Sequence, residues 1–319
     1  MTQGTTGQLA ADAKGALAPA HSPRRILLQR FLRHRLAVVS LVVLVVLAVA
    51  ALAAPWVEAA LGVDAETVNL FNRMQPPSAE HPLGTDELGR DLLVRLLYGG
   101  RVSLAVGLAA ALCAAVIGTT LGLIAGTLGG RFDSIFMRLA DSVIALPLLP
   151  LLIVLAAVDL NKLGLPADWL QGESVSIYRI VFLIALVGWT TTARLVRGAT
   201  LSLREREYVR AAEALGAGKG RLMWRHILPN AISPVIVATT LSVGNVILLE
   251  SVLSFLGLGI QPPTPSWGNM LTGAQETIWS QPMLAVWPGL LIFITVIAIN
   301  FLGDGLQDAL DPRSVNRRG

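Results

Sequence analysis

Six long apolar runs separated by polar stretches set the pattern of this chain. They cover roughly residues 36–54, 102–127, 135–158, 177–193, 232–257 and 284–303. An α-helix needs about 20 apolar residues to cross a bilayer core of about 30 Å, so each run predicts a transmembrane helix. The first run carries small residues near Ala53 that imitate a signal-peptidase site. It is longer than the ~7–15-residue core of a secretory signal, which predicts an uncleaved first span. The pattern as a whole predicts an all-α polytopic membrane protein with six transmembrane helices and both termini on one side.

Between the fourth and fifth runs lies a long polar interruption, residues 204–230. Within it Tyr208, Ala211, Ala212 and Leu215 recur at spacings of three and four, so one helix presents a face of mostly small side chains. Gly216 predicts the end of that helix, because a residue without Cβ takes the left-handed conformation that closes a helix, and Gly218 and Gly220 loosen the turn that follows. A second short helix is predicted over about 219–227, with Leu222, Met223 and Ile227 as its apolar face. Pro229 lacks an amide hydrogen and predicts its stop or bend.

Composition agrees with the membrane class. The chain is 54% hydrophobic and 14% charged, with a mean hydropathy of +0.64, which excludes an ordinary soluble domain. A pI near 9.7 would suit nucleic acid if the basic residues formed a patch with interleaved aromatics, but they are spread over the polar loops. All of the 25 Lys and Arg except Arg73, Arg90, Arg95, Arg101, Lys162 and Arg179 fall on one side when the N-terminus is placed in the cytoplasm. The positive-inside rule therefore predicts cytoplasmic termini. The organisation reads as a disordered cytoplasmic tail (1–20), a first helix with its outer loop (21–100), a core (101–312) and a short cytoplasmic tail (313–319). The single Cys113 sits in an apolar run and reads as packing.

Polar residues at membrane depth call for partners. Arg138 and Asp141, three apart, are placed to pair on one helix face, and Pro147 and Pro150 predict a bend in the third span. A charge at a helix centre costs roughly 2.5–3.5 kcal/mol on insertion scales, so Glu250 is expected at a subunit interface or aqueous path, or protonated. It reads equally as a pathway-lining acid or a helix-packing partner. Asn245 and Asn300 raise the same question, and Asp304 falls at the cytoplasmic edge. In the first outer loop, Leu88, Leu92 and Leu96 form an apolar stripe, Asp91 and Arg95 stand four apart, and Thr85 or Asp86 is placed to cap the helix start. The proline-dense stretch 261–266 reads as stiff and non-helical, with Trp267 and Trp279 at the outer interface, where they anchor helix ends or meet a binding protein.

No constellation for catalysis or metal binding emerges. Gly218 and Lys219 suggest a phosphate loop, but Glu213 stands where its first glycine is needed and Gly220 where Ser or Thr is needed. His21, His34, His81 and His226 are dispersed, and HExxH, GxSxG and CxxC patterns are absent.

Ala211 and Ala212, Gly216, and the Leu228–Pro229 pair resemble the cytoplasmic "EAA" loop of permease subunits in ATP-binding-cassette (ABC) importers, with Arg210 and His226 departing from the usual glutamate and isoleucine. Three further stretches, HPLGTDELGRDLLVRLLYGGRVSL, LLESVLSFLGLGIQPPTPSWGNML and WPGLLIFITVIAINFLGDGLQDALDPR, resemble the C-type subunit of the dipeptide, oligopeptide and nickel permeases, over about 24–313. The resemblance implies a type I ABC importer permease fold in the bacterial inner membrane. It implies a homologous second permease, two ABC ATPases and an extracytoplasmic substrate-binding protein as partners. ATP and Mg would belong to the ATPases, with no cofactor in this chain. The residues it assigns to ATPase coupling are Tyr208, Ala211, Ala212, Glu213, Leu215, Gly216, Leu228 and Pro229, while Asn245, Glu250 and Asn300 stand as pathway or interface residues. The expected function is import of di- or oligopeptides, with nickel or another small solute as the alternative within the class. A proton-coupled secondary transporter using Glu250 is the reading from another class, and the chain shows no inverted repeat of the kind many such carriers carry.

Overall fold

The computed structural model describes residues 23–158 and 174–310. The tails expected at 1–20 and 313–319, and Lys162, lie outside the described residues. The described chain is helical throughout its ordered elements: α1 (Pro23–Arg33), α2 (Arg35–Leu52), α3 (Ala54–Leu61), α4 (Leu92–Leu128), α5 (Gly130–Ala145), α6 (Leu148–Ala156), α7 (Val175–Arg204), α8 (Glu207–Ala214), α9 (Lys219–Phe255), α10 (Trp267–Thr277) and α11 (Met283–Leu310). Five of them, α2, α4, α7, α9 and α11, are long and apolar enough to cross a membrane. The third apolar run is divided between α5 and α6, which meet at 92° and make a sixth span if counted together.

The helices outrun the apolar stretches that predicted them. α4 has 37 residues and begins ten residues before the apolar run, where the Asp91 carboxylate accepts the Val94 amide at 2.8 Å as its N-cap. Thr85 and Asp86, expected as caps, lie in the preceding loop. Asp91 is also not paired with Arg95. Its second oxygen meets His81 Nδ1 at 3.0 Å, while Arg95 reaches back to Asp86 at 3.4 Å and to the Ala65 carbonyl at 3.0 Å. The helix carrying Leu92 and Leu96 is thus the first part of a span, packed on the bundle.

Packing centres on α4 and α7. Gly118, Gly122 and Gly126 recur every fourth residue on the α4 face turned to α7, and a Cβ on Gly118 or Gly122 would lie 2.5 Å from the Trp189 or Ala193 carbonyl. Only hydrogen at these positions lets the two backbones approach so closely, the small-residue solution that replaces hydrophobic burial between membrane helices. Thr192, Ala193, Val196 and Thr200 form the opposing face. Around this seam Val106, Ala110, Leu152, Ile180, Ile184, Val246 and Leu253 join α4, α6, α7 and α9 into one apolar cluster. A second cluster ties Leu92 and Leu96 to Trp267, Leu284 and Ile292 at the end bearing residues 62–91, called here the far end.

Several sequence expectations change in the folded chain. Asp141 pairs with Arg194 of α7 at 3.7 Å rather than with Arg138, where α5 packs against α7. Trp267 is not an interfacial anchor: it is buried, its indole N–H donates to the Leu96 carbonyl at 3.0 Å, and its ring fills the space left by Gly99 and Gly100. Trp279 is 96% exposed. Cys113 is exposed on α4 rather than packed inside the chain.

Replacing Gly122 by leucine forces a side chain into the Ala193 backbone. The expected loss is roughly 1–3 kcal/mol of stability, read as a lower thermal midpoint of the detergent-purified protein. Gly198→Ala on α7, where an added Cβ meets open space, should leave the midpoint unchanged.

Candidate functional site

Residues 204–230 fold as two helices joined by a tight turn at the near end of the bundle. α8 closes through Gly216, whose φ of +87° is the left-handed conformation anticipated for it. The Gly216 amide donates to the Glu213 carbonyl at 2.9 Å and the Ala217 amide to the Ala212 carbonyl at 3.0 Å, the paired bonds of a Schellman ending. Tyr208, Ala211 and Leu215 lie on the exposed surface with Leu215 89% accessible, Ala212 is half-buried, and the Glu213 side chain is exposed. The buried anchor of α8 is Val209, which the spacing argument did not single out.

The second predicted helix does not stop at Pro229. Residues Leu222–Ile227 form a π-helical turn and the helix continues through Pro229 into the span, giving one 37-residue element. The physical reason is visible in the hydrogen bonds. The Leu228 amide reaches back five residues to the Met223 carbonyl, so the ladder is already widened where the proline ring would clash, and Asn230 Nδ2 serves the His226 carbonyl at 2.7 Å. Ile227 is fully buried against Leu123 of α4, Val196 of α7 and Val235, with Leu228 packed beside them and Pro229 exposed. Arg204 donates to the Gly126 carbonyl at 3.0 Å, and Arg197 Nη2 meets Asp133 Oδ2 at 2.6 Å. These contacts tie the end of α7 and the start of α9 to the α4–α7 seam. Tyr208, Leu215 and Trp224 leave large apolar surface uncovered on this otherwise polar segment, the mark of an interaction surface.

Glu250 lies at the other half of the bundle and has no exposed surface. Ser103 Oγ of α4 donates to one carboxylate oxygen at 3.0 Å and Ser254 Oγ of α9 to the other at 2.7 Å. Each serine also accepts a backbone amide, Ser103 from Trp267 at 3.2 Å and Ser254 from Ile260 at 3.0 Å. The carboxylate thus gathers, through two hydroxyls, the loop after α9 and the first amide of α10, where the helix dipole favours negative charge. Within the chain, Glu250 is enclosed by serine hydroxyls that are themselves held by backbone amides. Asn245 and Asn300 are exposed on α9 and α11, the latter donating to the Val296 carbonyl at 3.0 Å. The structure does not bring these three residues together in one site.

At the far end an ordered loop closes over α4. Asp86 accepts the Leu88 and Arg90 amides, each at 2.9 Å, and the Arg90 side chain at 2.8 Å, while Glu58 accepts the Tyr98 hydroxyl at 2.5 Å and the Ala65 amide at 3.0 Å. Among the described residues, no group of three or more His, Cys, Asp or Glu is placed to hold a metal.

A bundle of apolar spans with a rigidly connected polar handle describes a membrane-embedded transport component. Residues 118–316 match the family model for the inner membrane component of binding-protein-dependent transport systems, and residues 22–77 match the N-terminal transmembrane domain of oligopeptide transport permease C. The chain belongs to this family of inner-membrane transport components. It is 41% identical over 294 residues to the dipeptide transport system permease protein of Alkalihalophilus pseudofirmus, covering 92% of this chain and 91% of the relative. It is 38% identical over 304 residues to the oligopeptide transport system permease protein of Bacillus subtilis, covering 95% and 94%, and 40% identical over 293 residues to a glutathione transport system permease protein of Pectobacterium atrosepticum, covering 92% of each. The protein is thus a multi-pass permease subunit of an ABC importer and not an enzyme, and membership implies an ATPase and a substrate-binding protein as partners.

Removing the acceptor at position 250 tests the buried node. Glu250→Leu leaves the Ser103 and Ser254 hydroxyls without their acceptor, at a cost of about 1–3 kcal/mol per stranded group. Its unfolding midpoint should fall well below that of Glu250→Gln, which retains an acceptor oxygen.

Proposed function

We propose that this chain is one of two homologous permeases in an ATP-driven importer of di- or oligopeptides, working with two ABC ATPase subunits and an extracytoplasmic binding protein. The observation that carries the reading is the 204–230 segment, which exposes Tyr208, Ala211 and Leu215 and stands between α7 and α9, joined to them through residues 205–206 and the turn at 215–218. Both termini and this segment lie in the cytoplasm, on the side rich in Lys and Arg. ATP and Mg bind in the partner subunits. Tyr208, Ala211, Ala212, Glu213 and Leu215 meet an ATPase, Gly216 fixes the angle between the two short helices, and Leu228 and Pro229 carry the movement into α9. When the ATPases close, α8 is displaced as a lever, and α7 and α9 shift between inward- and outward-open arrangements. The difference in contacts between those two states is what allows ATP to bias the gate.

The dipeptide, oligopeptide and glutathione names of the relatives support a peptide as the transported solute. Nickel or another small solute is the alternative within the class, since the binding protein carries much of the selection. A proton-driven carrier built on Glu250 is disfavoured by the sealing of that carboxylate among Ser103 and Ser254.

Affinity purification from the native membrane should recover a second permease and ATPases, with hydrolysis stimulated by a peptide-loaded binding protein. A lone chain showing proton-dependent uptake would refute the reading. Gly216→Val places a β-branched residue at a φ of +87° and should abolish stimulated hydrolysis and uptake, while Gly218→Ala, at ordinary φ with open space around it, should leave both near wild type.

A further inference from the structure

The interruption between α5 and α6 removes helical hydrogen bonds from a stretch of exposed residues. Leu146 and Pro147 are extended, with ψ of 142° and 115°, and the two helices part at 92°. In a continuous helix the Val143 carbonyl would receive the amide of residue 147 and the Leu146 carbonyl that of residue 150, and both residues are prolines. The Leu146 amide folds back onto the Val143 carbonyl at 3.2 Å, and the Leu151 amide serves Pro147 at 3.1 Å. The Leu146 carbonyl receives nothing from Pro150.

The depth of this break follows from its neighbours. Before it, Asp141 meets Arg194; after it, the Arg179 side chain binds the carbonyls of Ala156 and Val158. Those two arginines bound the uncharged stretch of α7, and Val143 packs in the same cluster as Val187 midway between them. Leu146 and Pro147 therefore fall between the levels marked by the two arginines, alongside the uncharged stretch of α7. All residues from 144 to 150 are nonetheless exposed. Non-helical backbone at this depth is tolerated only inside protein or beside water, because lipid tails offer no donor. The apolar side chains of a neighbouring helix offer none either.

We propose that the break at Leu146–Pro147 lines the water-filled translocation path, and that the carbonyl end of α5 forms a transient station for the ammonium and amide N–H donors of a passing peptide. The inference rests on the importer reading and deepens it. The C-terminal end of a 16-residue helix carries partial negative charge, which attracts a cationic terminus. Carbonyls held at a proline-enforced break accept donors without selecting a side chain. Discontinuous helices serve membrane transport sites in this way when their free ends face the solute.

The test uses the complete importer in vesicles after Cys113→Ser, which removes this chain's single native thiol, and labelling is read on this chain after its separation from the other subunits. Leu146→Cys and Leu149→Cys are compared with Val46→Cys on the outward apolar face of α2. Because the thiolate is the reacting form and needs water, a small charged thiol reagent should modify the first two about tenfold faster than the third, in either the nucleotide-free or the ATP-trapped state. A transported peptide with a free amino terminus should slow that modification more than its N-acetylated form. Rates equal to the Val46→Cys control at both positions and in both states, in a complex that retains its ATPases and hydrolyses ATP, would overturn the proposal while leaving the importer reading intact. Equal protection by the free and acetylated peptides would remove the ammonium station. Failure of the otherwise unaltered Cys113→Ser chain to recover any ATPase would instead remove the importer reading and the proposal with it.

Discussion

Gly118, Gly122 and Gly126 let α4 lie against α7 with almost no side chain between them, and the rest of the fold takes its position from that contact. In a bilayer, lipid tails are as apolar as leucine, so helices gain little from hiding hydrophobic surface from one another. Close backbone approach and satisfied polar groups must hold the bundle instead. The seam supplies the first, and it is locked at the near end by Arg204 on the Gly126 carbonyl and by Arg197 on Asp133. Ile227 then inserts between the same two helices through Leu123 and Val196. The exposed segment at 204–230 is thereby an extension of the seam rather than a loop hung from it.

Polar groups at depth follow the same constraint with different outcomes. Glu250 is surrounded by hydroxyls that are themselves anchored by helix-end amides, so its carboxylate organises the chain from within. The Leu146 carbonyl loses its helical donor to Pro150, and Leu146 is an exposed residue. One feature fixes α4, α9 and α10 together, and the other leaves a polar point where the subunit has an exposed face. An importer needs both a stiff body to carry force and a wet surface along which the solute moves.

Much of this was legible in the amino-acid order because hydrocarbon imposes long apolar runs and a left-handed helix end calls for glycine. The spans and the turn at Gly216 are direct readings of those two rules. The α4–α7 seam is hidden from hydropathy, which treats its glycines as weak apolar residues, although their fourfold spacing is visible in the amino-acid order. Asp91 was assigned to Arg95 because a spacing of four is favourable on a helix. The helix starts after Asp91, which frees that carboxylate for an amide and for His81, ten residues away. The sequence marks Pro229 as a stop or a bend because it shows the lost donor but not the widened turn that lets the helix continue. Trp267 was placed at an interface by its type, whereas Gly99 and Gly100 on a distant segment provide the pocket that buries it.

The central claim is that the surface formed by Tyr208, Ala211 and Leu215 is where force enters the bundle. A photo-crosslinking amino acid at Leu215, 89% exposed at the end of α8, tests this most directly in the assembled complex. The account predicts a covalent adduct with an ATPase subunit whose yield changes between the nucleotide-free and ATP-bound states. Adducts confined to lipid or to the binding protein, in a complex that still hydrolyses ATP, would contradict it.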